Sequence, residues 1–181
     1  MGRLKSLKDR LFSTPKTEQD NGKPKIRLPD PELDLRIRPA DIHDILPMAL
    51  MWTQMTQEIF PDFVKVDKVE LDKFAFAMAD RLRVDHVFTR VAVHGAKIVG
   101  FIHGYFQERS YGQPNRTAFC ETLFVYPEYR GKGLKDKLVK SFIDWAEANH
   151  LTIEFMTRYD PDILDMWGKY GAKPYTIVFR R

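Results

Sequence analysis

The chain has 181 residues, of which 44% are hydrophobic and 30% charged, with a formal net charge of +4 and a single cysteine, Cys120. This length and apolar content predict one domain with a buried core. One cysteine excludes an internal disulfide and a multi-cysteine metal site. No apolar run reaches membrane-spanning length or resembles a signal peptide, so we expect a reducing, cytoplasmic location.

The positive charge is concentrated at the N terminus. Residues 1–27 hold eight Lys or Arg and three acidic residues, a net charge of +5, which leaves the remainder of the chain near −1. Basic charge confined to a tail describes that tail and argues against a nucleic-acid-binding or membrane-binding domain.

Residues 1–33 are predicted to be a basic extension ahead of a domain at 34–181. The segment 13–31 is rich in Pro, Lys, Asp and Asn and has little to bury, so alone it is expected to be disordered. Leu4, Leu7, Leu11 and Phe12 recur at helical spacing between basic residues, which favours a short amphipathic helix. Residues 1–27 would then bind a protein partner or a larger assembly; the alternative is a segment too short to hold a helix.

The domain is predicted to begin with a strand at 35–38, where apolar and charged residues alternate. Two helices follow, one opened by Pro39-Ala40-Asp41 and one over 68–83, each with apolar residues at helical spacing. Two β-rich runs, 87–93 and 97–106, flank His94-Gly95-Ala96 and predict a hairpin.

The second half alternates strands and helices. Strands are predicted at 117–125, 151–157 and 176–180. Helices are predicted at 134–148 and from Asp160-Pro161 to about Tyr170, where Gly171 is a C-terminal cap. A strand, a helix and a strand in succession predict a parallel pair.

A glycine-rich loop joins the strand 117–125 to the following helix. Gly131 and Gly133 lack the Cβ atoms that would keep a ligand from the main chain, and the first amides of a helix are free to bind an anion. Basic residues crowd the same turn, where the helix dipole disfavours them, and a bound phosphate would balance their charge: Arg130, Lys132, Lys135 and Lys137. The alternative is a solvated basic turn.

The string from Val125 to Leu134 resembles the GNAT superfamily of N-acetyltransferases, whose signature R/Q-x-x-G-x-G/A follows the fourth strand. In one register Arg130 and Gly131 match and Lys135 takes the last small position; in the other both glycines match and Glu128 takes the first position. The predicted element order, β-α-α-β-β-β-α-β-α-β, extends the resemblance over about residues 35–181. The resemblance implies an α/β (α+β) fold, a mixed central sheet flanked by helices and splayed between the fourth and fifth strands.

The resemblance also implies a function and its ligands. The protein would be an acetyl-CoA-dependent N-acetyltransferase that needs no metal and transfers an acetyl group directly to a primary amine. The main chain around Phe124 and Val125 would pair with the pantetheine arm. The loop amides would hold the pyrophosphate: Arg130, Gly131, Lys132, Gly133, Leu134 and Lys135.

Amide formation needs a neutral amine, whereas a free Lys side chain is neutral in only about one molecule in 2,500 at pH 7. Many members of the resembled family carry a Glu on the fourth strand, and Glu121 is the corresponding candidate base, to which water can relay the proton. The alternative is an exposed carboxylate paired with Arg116. His103 is a second candidate base or a packed residue, and Cys120 is expected to be a buried thiol.

In the resembled family a Tyr of the last helix commonly protonates the departing thiolate, and Trp167 stands at that position here. Tyr170 and Tyr159 are the candidates to replace it. Phe60, Phe63, Arg158 and Tyr159 would line the acceptor site, whose specificity the sequence does not encode. Two other interpretations stay open: an inactive binding or structural protein within a larger assembly, and a small basic-armed binder of nucleic acid or membranes.

Overall fold

The computed structural model describes residues 35–59, 68–108, 116–156 and 161–174. The strands are β1 (Leu35–Pro39), β2 (Val87–His94), β3 (Lys97–Glu108), β4 (Arg116–Val125) and β5 (Thr152–Phe155), and the helices are α1 (Ile45–Ile59), α2 (Lys68–Arg81), α3 (Leu134–Ala148) and α4 (Pro161–Gly168). The extension 1–33 and the strand predicted at 176–180 lie outside these residues.

One five-stranded sheet in the order β1-β2-β3-β4-β5 forms the centre of the domain. The first three pairings are antiparallel and β4 pairs with β5 in parallel. Because parallel neighbours need a crossover, α3 connects β4 to β5. The predicted fold class, a mixed sheet flanked by helices, is confirmed. None of the helices in the described parts of the chain combines the length and apolar character needed to cross a membrane.

The first helical segment begins at a capping box. Asp41 accepts a hydrogen bond from the His43 amide at 2.8 Å, and the Asp44 side chain accepts one from the Asp41 amide, also at 2.8 Å. Arg38 at the end of β1 donates to both carboxylate oxygens of Asp44, at 2.6 and 2.8 Å. These bonds satisfy amides that a helix start leaves free, and they join β1 to α1.

The sheet is covered on both faces, because neighbouring residues of its strands point to opposite sides. Ile102 and Val125 belong to one core, which α3 and Trp167 complete. Phe101 and Phe124 belong to a second core, formed with α1 and α2. A residue's place in the alternation along β3 and β4 therefore decides which helices it contacts.

A β-bulge at Glu121 interrupts this alternation. Gly104 pairs with Cys120 and the preceding His103 pairs with Thr122, so Glu121 is the extra residue on β4. The ladder to β5 ends at the same point, since its last pair joins Cys120 to Phe155. Beyond it, the outer edge of 121–125 has no strand partner among the described residues. A bulge bends its strand, and within the described residues the ladder between β4 and β5 ends where the bulge occurs, as the predicted splay requires.

Gly104 allows α3 to approach the sheet. A Cβ at this position would lie 2.3 Å from Phe119 O and 2.6 Å from the Phe142 ring. We expect Gly104→Ala to lower the free energy of unfolding by about 1–3 kcal/mol, as overpacking does, in urea denaturation. Gly168→Ala is the control, because a Cβ there meets nothing within 4 Å. Equal stability of the two variants would contradict the close approach of α3.

Candidate active site

The glycine loop is open toward solvent. A short 3-10 turn, Pro127–Tyr129, follows β4, and the loop residues Gly131 and Gly133 both have left-handed backbones, with φ of 74° and 73°. A Cβ at either position would meet nothing within 4 Å. Residues with a Cβ rarely adopt this backbone conformation. Glycine at these positions therefore permits the turn and leaves free space in front of it.

The amides at the start of α3 are available to a ligand. Gly133 precedes the helix without any side-chain cap, and within the described chain the first helical amide to bond a carbonyl is that of Lys137, which donates to Gly133 O at 3.1 Å. The amides before it point out of the helix at the positive end of its dipole. An uncapped helix start with open space beside two glycines fits a diphosphate group.

Arg130 is bound within the protein. Its Nε donates to Val125 O at 2.9 Å and one terminal nitrogen donates to Glu58 at 2.8 Å. Burial by itself would raise the pKa of Glu58. The hydrogen bonds from Arg130 and Gln54, together with the charge of Arg130, outweigh burial and lower this pKa below its ordinary value. Arg130 thus fastens the loop to the ends of β4 and α1. Lys132, Lys135 and Lys137 have no acidic partner among the described residues and remain free to balance an anion.

Glu121 stands where β4 and β5 part, and its partner is Arg81. An Arg81 terminal nitrogen lies 2.6 Å from Glu121 Oε2, and the two side chains are 42% and 33% exposed. The predicted alternative, a pair with Arg116, is wrong: Arg116 approaches Glu108 at 3.9 Å and donates to Asn149 O. Alternation along β4 accounts for this, because Arg116 lies over the Phe106 ring on the α3 side of the sheet, whereas Glu121 lies on the face that α2 covers.

His103 is packed beneath this ion pair. Its Nε2 lies 3.1 Å from the same Arg81 nitrogen and its Nδ1 2.8 Å from the Thr89 hydroxyl. Since arginine only donates, Nε2 must accept and Nδ1 carries the proton. Burial is the main cause that lowers the His103 pKa. The charge of Glu121 opposes it and the charge of Arg81 adds to it, and the pKa falls to about 4. With a side chain only 2% exposed, this neutral imidazole supports the pair and does not reach a substrate.

Cys120 is the buried thiol that the sequence predicts. It is 3% exposed and its pKa is raised to about 12, first by burial and then by the charge of Glu121. A thiol in this state is not a nucleophile at neutral pH. The described residues also contain no group of three or more His, Cys, Asp or Glu side chains placed to hold a metal ion.

The helix α4 brings Trp167 and Tyr170 beside this region. Trp167 is 7% exposed and stacks on Phe155, the last residue of the β5 ladder, with ring centroids 4.0 Å apart. Its buried Nε1 has no hydrogen-bond partner among the residues that the structure describes. Tyr170 donates its hydroxyl to Asp136 in the first turn of α3. Burial first, and Asp136 second, raise the Tyr170 pKa to about 12, so the phenol keeps its proton.

The structure therefore assembles part of the predicted site. Phe124, Val125 and the glycine loop lie at the open end of the parted strands, and Glu121 lies at the closed end. The predicted acid Tyr159 and the predicted lining residues Phe60, Phe63 and Arg158 fall outside the described residues. Arg81 is the side chain that sequence reasoning missed, and forty positions separate it from Glu121. The one sequence signal for Arg81 is that it is a basic residue in the last turn of α2, and this is too common a feature of helices to single it out.

Comparison with known proteins agrees with this geometry. The family described as "Acetyltransferase (GNAT) family" matches residues 51–163. The chain belongs to this family of acetyltransferases, and the protein is therefore an enzyme of the acyltransferase class. A comparison with curated protein sequences finds no match.

Solved structures share the fold at low identity. A predicted acetyltransferase with acetyl-CoA from Clostridium acetobutylicum has a TM-score of 0.69 at 13% identity, covering 81% of this chain and 95% of the other. A transcriptional regulator from Bacillus halodurans C-125 has a TM-score of 0.68 at 21% identity, covering 81% and 98%. The aminoglycoside antibiotic 6'-N-acetyltransferase AAC(6')-Ih from Acinetobacter baumannii has 0.59 at 19%, covering 81% and 97%.

His103 should make stability depend on pH. Its pKa falls from an ordinary 6.5 to about 4 on folding, so the unfolded chain binds a proton more readily. The stabilisation by the neutral ring is complete above pH 6.5 and is lost as the pH falls through 4, by about 3 kcal/mol in total. In urea denaturation, His103→Gln should show a smaller loss between pH 6.5 and 4 than the unmodified protein. His86→Gln, at an exposed position, is the control, and an equal pH slope in all three proteins would refute this account.

Proposed function

We propose that the protein is an acetyl-CoA-dependent N-acetyltransferase that transfers the acetyl group directly to a primary amine. The observation that carries the proposal is the parting of β4 from β5 between the glycine loop at one end and Glu121 at the other. From Glu121 to Val125 the strand spans roughly 13 Å at about 3.3 Å per residue. An extended pantetheine arm has a comparable length, so a diphosphate at the loop is compatible with a thioester near Glu121.

The chain's own groups supply the binding contacts for acetyl-CoA. The free amides from Gly131 to Lys135, backed by the dipole of α3, suit the diphosphate. Lys132 and Lys135 add positive charge at the same turn. The outer edge of residues 121–125, which has no strand partner in the described parts of the chain, offers main-chain donors and acceptors to the amides of the pantetheine arm. These contacts are mostly with the backbone, so Lys135 in place of a small residue does not oppose them.

The reaction requires a proton acceptor at the closed end of the cleft. Acetyl-CoA supplies an acetyl group activated as a thioester. Glu121 can accept a proton from the acceptor's ammonium, directly or through one water, because its carboxylate is partly exposed where the strands part. A C–N bond then replaces the C–S bond, the electrons of the broken bond leave with sulfur, and the second proton lost by nitrogen balances the thiolate.

The proposal that the acceptor is an amine draws on the structural neighbours. Among the structural neighbours are aminoglycoside acetyltransferases, one of them a 6'-N-acetyltransferase. Their activity supports the capacity of the fold for amine acetylation, and the low identity leaves the acceptor of this protein to be found by experiment.

A second candidate is a CoA-binding protein with little turnover. It is favoured by Trp167, whose indole cannot donate a proton to a thiolate, and by the Tyr170 hydroxyl, which is bound to Asp136. Calorimetry with acetyl-CoA and a thiol-release assay over a panel of amines separate the candidates. Binding with turnover supports the enzyme, binding without turnover supports the second candidate, and no binding refutes both.

The glycine loop should control cosubstrate affinity. Gly131→Ala or Gly133→Ala would introduce a Cβ at a left-handed residue and strain the turn that presents the amides. We expect each variant to raise the dissociation constant of acetyl-CoA about tenfold or more, measured by calorimetry. Gly95→Ala is the matched control, because Gly95 has φ of 60° and equally open surroundings in the β2–β3 turn. Equal affinity in all variants would place the diphosphate elsewhere.

Glu121 should govern the chemical step. Glu121→Gln keeps the shape of the side chain and removes the base, so we expect the transfer rate to fall about 10²- to 10⁴-fold with unchanged acetyl-CoA affinity. Rates come from thiol release and affinities from calorimetry. Glu108→Gln, at an exposed carboxylate on the end of β3, should leave both unchanged. An active Glu121→Gln enzyme would exclude this residue as the base.

A further inference from the structure

Arg81 has more donors than its contacts within the described residues use. One terminal nitrogen carries two hydrogens, and Glu121 Oε2 at 2.6 Å and His103 Nε2 at 3.1 Å account for both. A guanidinium has five N–H donors. The three on its Nε and on its second terminal nitrogen have no acceptor in the described parts of the chain, and the same holds for Glu121 Oε1 as an acceptor. Arg81 and Glu121 are therefore neighbours that each keep hydrogen-bonding atoms without a partner in the described residues.

Three contacts hold this guanidinium in place. The neutral imidazole of His103 holds it from below, Glu121 holds it from the side, and its central carbon lies 5.8 Å from the centroid of the Tyr105 ring. Tyr105 is itself stacked on Phe119, with ring centroids 5.5 Å apart. A surface ion pair between two mobile side chains contributes little, whereas three contacts preorganise Arg81 and reduce the entropy that a ligand must remove.

Both groups open to the same region of the surface. Arg81 is 42% exposed and Glu121 33%, and a 2.6 Å contact joins them, so their accessible atoms are neighbours. A planar guanidinium binds carboxylates through two parallel hydrogen bonds. An acceptor that presents an ammonium to Glu121 therefore brings its adjacent atoms within reach of a fixed positive charge.

We propose that the acceptor is an amino carboxylate, whose amine faces Glu121 while its own carboxylate binds the free edge of Arg81. This inference rests on the proposed acetyltransferase function and names its substrate class. The same positive charge disfavours acceptors that carry a second cation near the reacting amine, such as polyamines and aminoglycosides, because like charges repel at short range.

Matched acceptors test the proposal on the unmodified enzyme. A panel of α- and β-amino acids is compared with the corresponding carboxamides, decarboxylated amines, spermidine and an aminoglycoside, by kcat/KM in a thiol-release assay. We expect the free acids to exceed their carboxamides by about 10- to 100-fold, the range for hydrogen bonds between charged groups. Preference for the carboxamides, spermidine or the aminoglycoside would overturn the proposal.

Variants then assign the preference to Arg81. Arg81→Gln should remove most of the discrimination between acid and carboxamide, chiefly through KM, and Arg81→Lys should restore part of it. Arg83→Gln is the matched control, since Arg83 is exposed two residues further on and its loss changes the net charge equally. Thermal unfolding checks that each variant is folded. A preference for acids that persists in a folded Arg81→Gln protein would show that another group binds the carboxylate.

Binding measurements separate this inference from the proposed function. Calorimetry measures the dissociation constant of the preferred amino acid from protein saturated with CoA. The unmodified, Arg81→Gln and Arg83→Gln proteins are compared. Weaker binding in Arg81→Gln alone supports the inference without reference to turnover. If the protein binds acetyl-CoA and acetylates only amines that lack a carboxylate, the acceptor class is wrong and the acetyltransferase stands. If it does not bind acetyl-CoA, the proposed function fails first.

Discussion

The separation of β4 from β5 at residues 120 and 121 is the constraint on which the rest of the site depends. Up to Cys120 the two strands are neighbours in a closed sheet, and at the Glu121 bulge the ladder between them ends. An unpaired edge inside a protein is costly unless another partner covers it, because every main-chain amide and carbonyl needs a hydrogen bond. A polar, extended ligand arm is such a partner.

The same bulge joins cosubstrate binding to chemistry. An extra residue in one strand reverses the alternation of side chains, so Glu121 points to the helical face that α2 covers. Without the extra residue the carboxylate would share a face with Leu123 and Val125, inside the core formed with α3. One irregularity in the backbone thus ends the pairing, opens the cleft and places a carboxylate at its closed end.

The electrostatics of this corner follow from what is buried and what is not. Two charges, those of Arg81 and Glu121, remain at the surface, and the group beneath them, His103, is neutral. Burial of an imidazolium beside an arginine would cost several kcal/mol, which is why the ring stays neutral and accepts a hydrogen bond from Arg81. The ion pair is held in place by an uncharged support, so its unused donors and acceptors stay available to a ligand.

Local patterns determined much of this protein: the alternation of strands, the helical repeats, the hairpin at Gly95 and the glycine loop before α3, because each depends on residues close in sequence. The resemblance to a known family supplied the splay between the fourth and fifth strands and the choice of Glu121. The tertiary structure alone decided that Arg81, and not Arg116, pairs with Glu121, that His103 lies beneath them and that Tyr170 bonds to Asp136. Such partners are chosen by strand register and helix packing, which bring together residues that no sequence spacing relates.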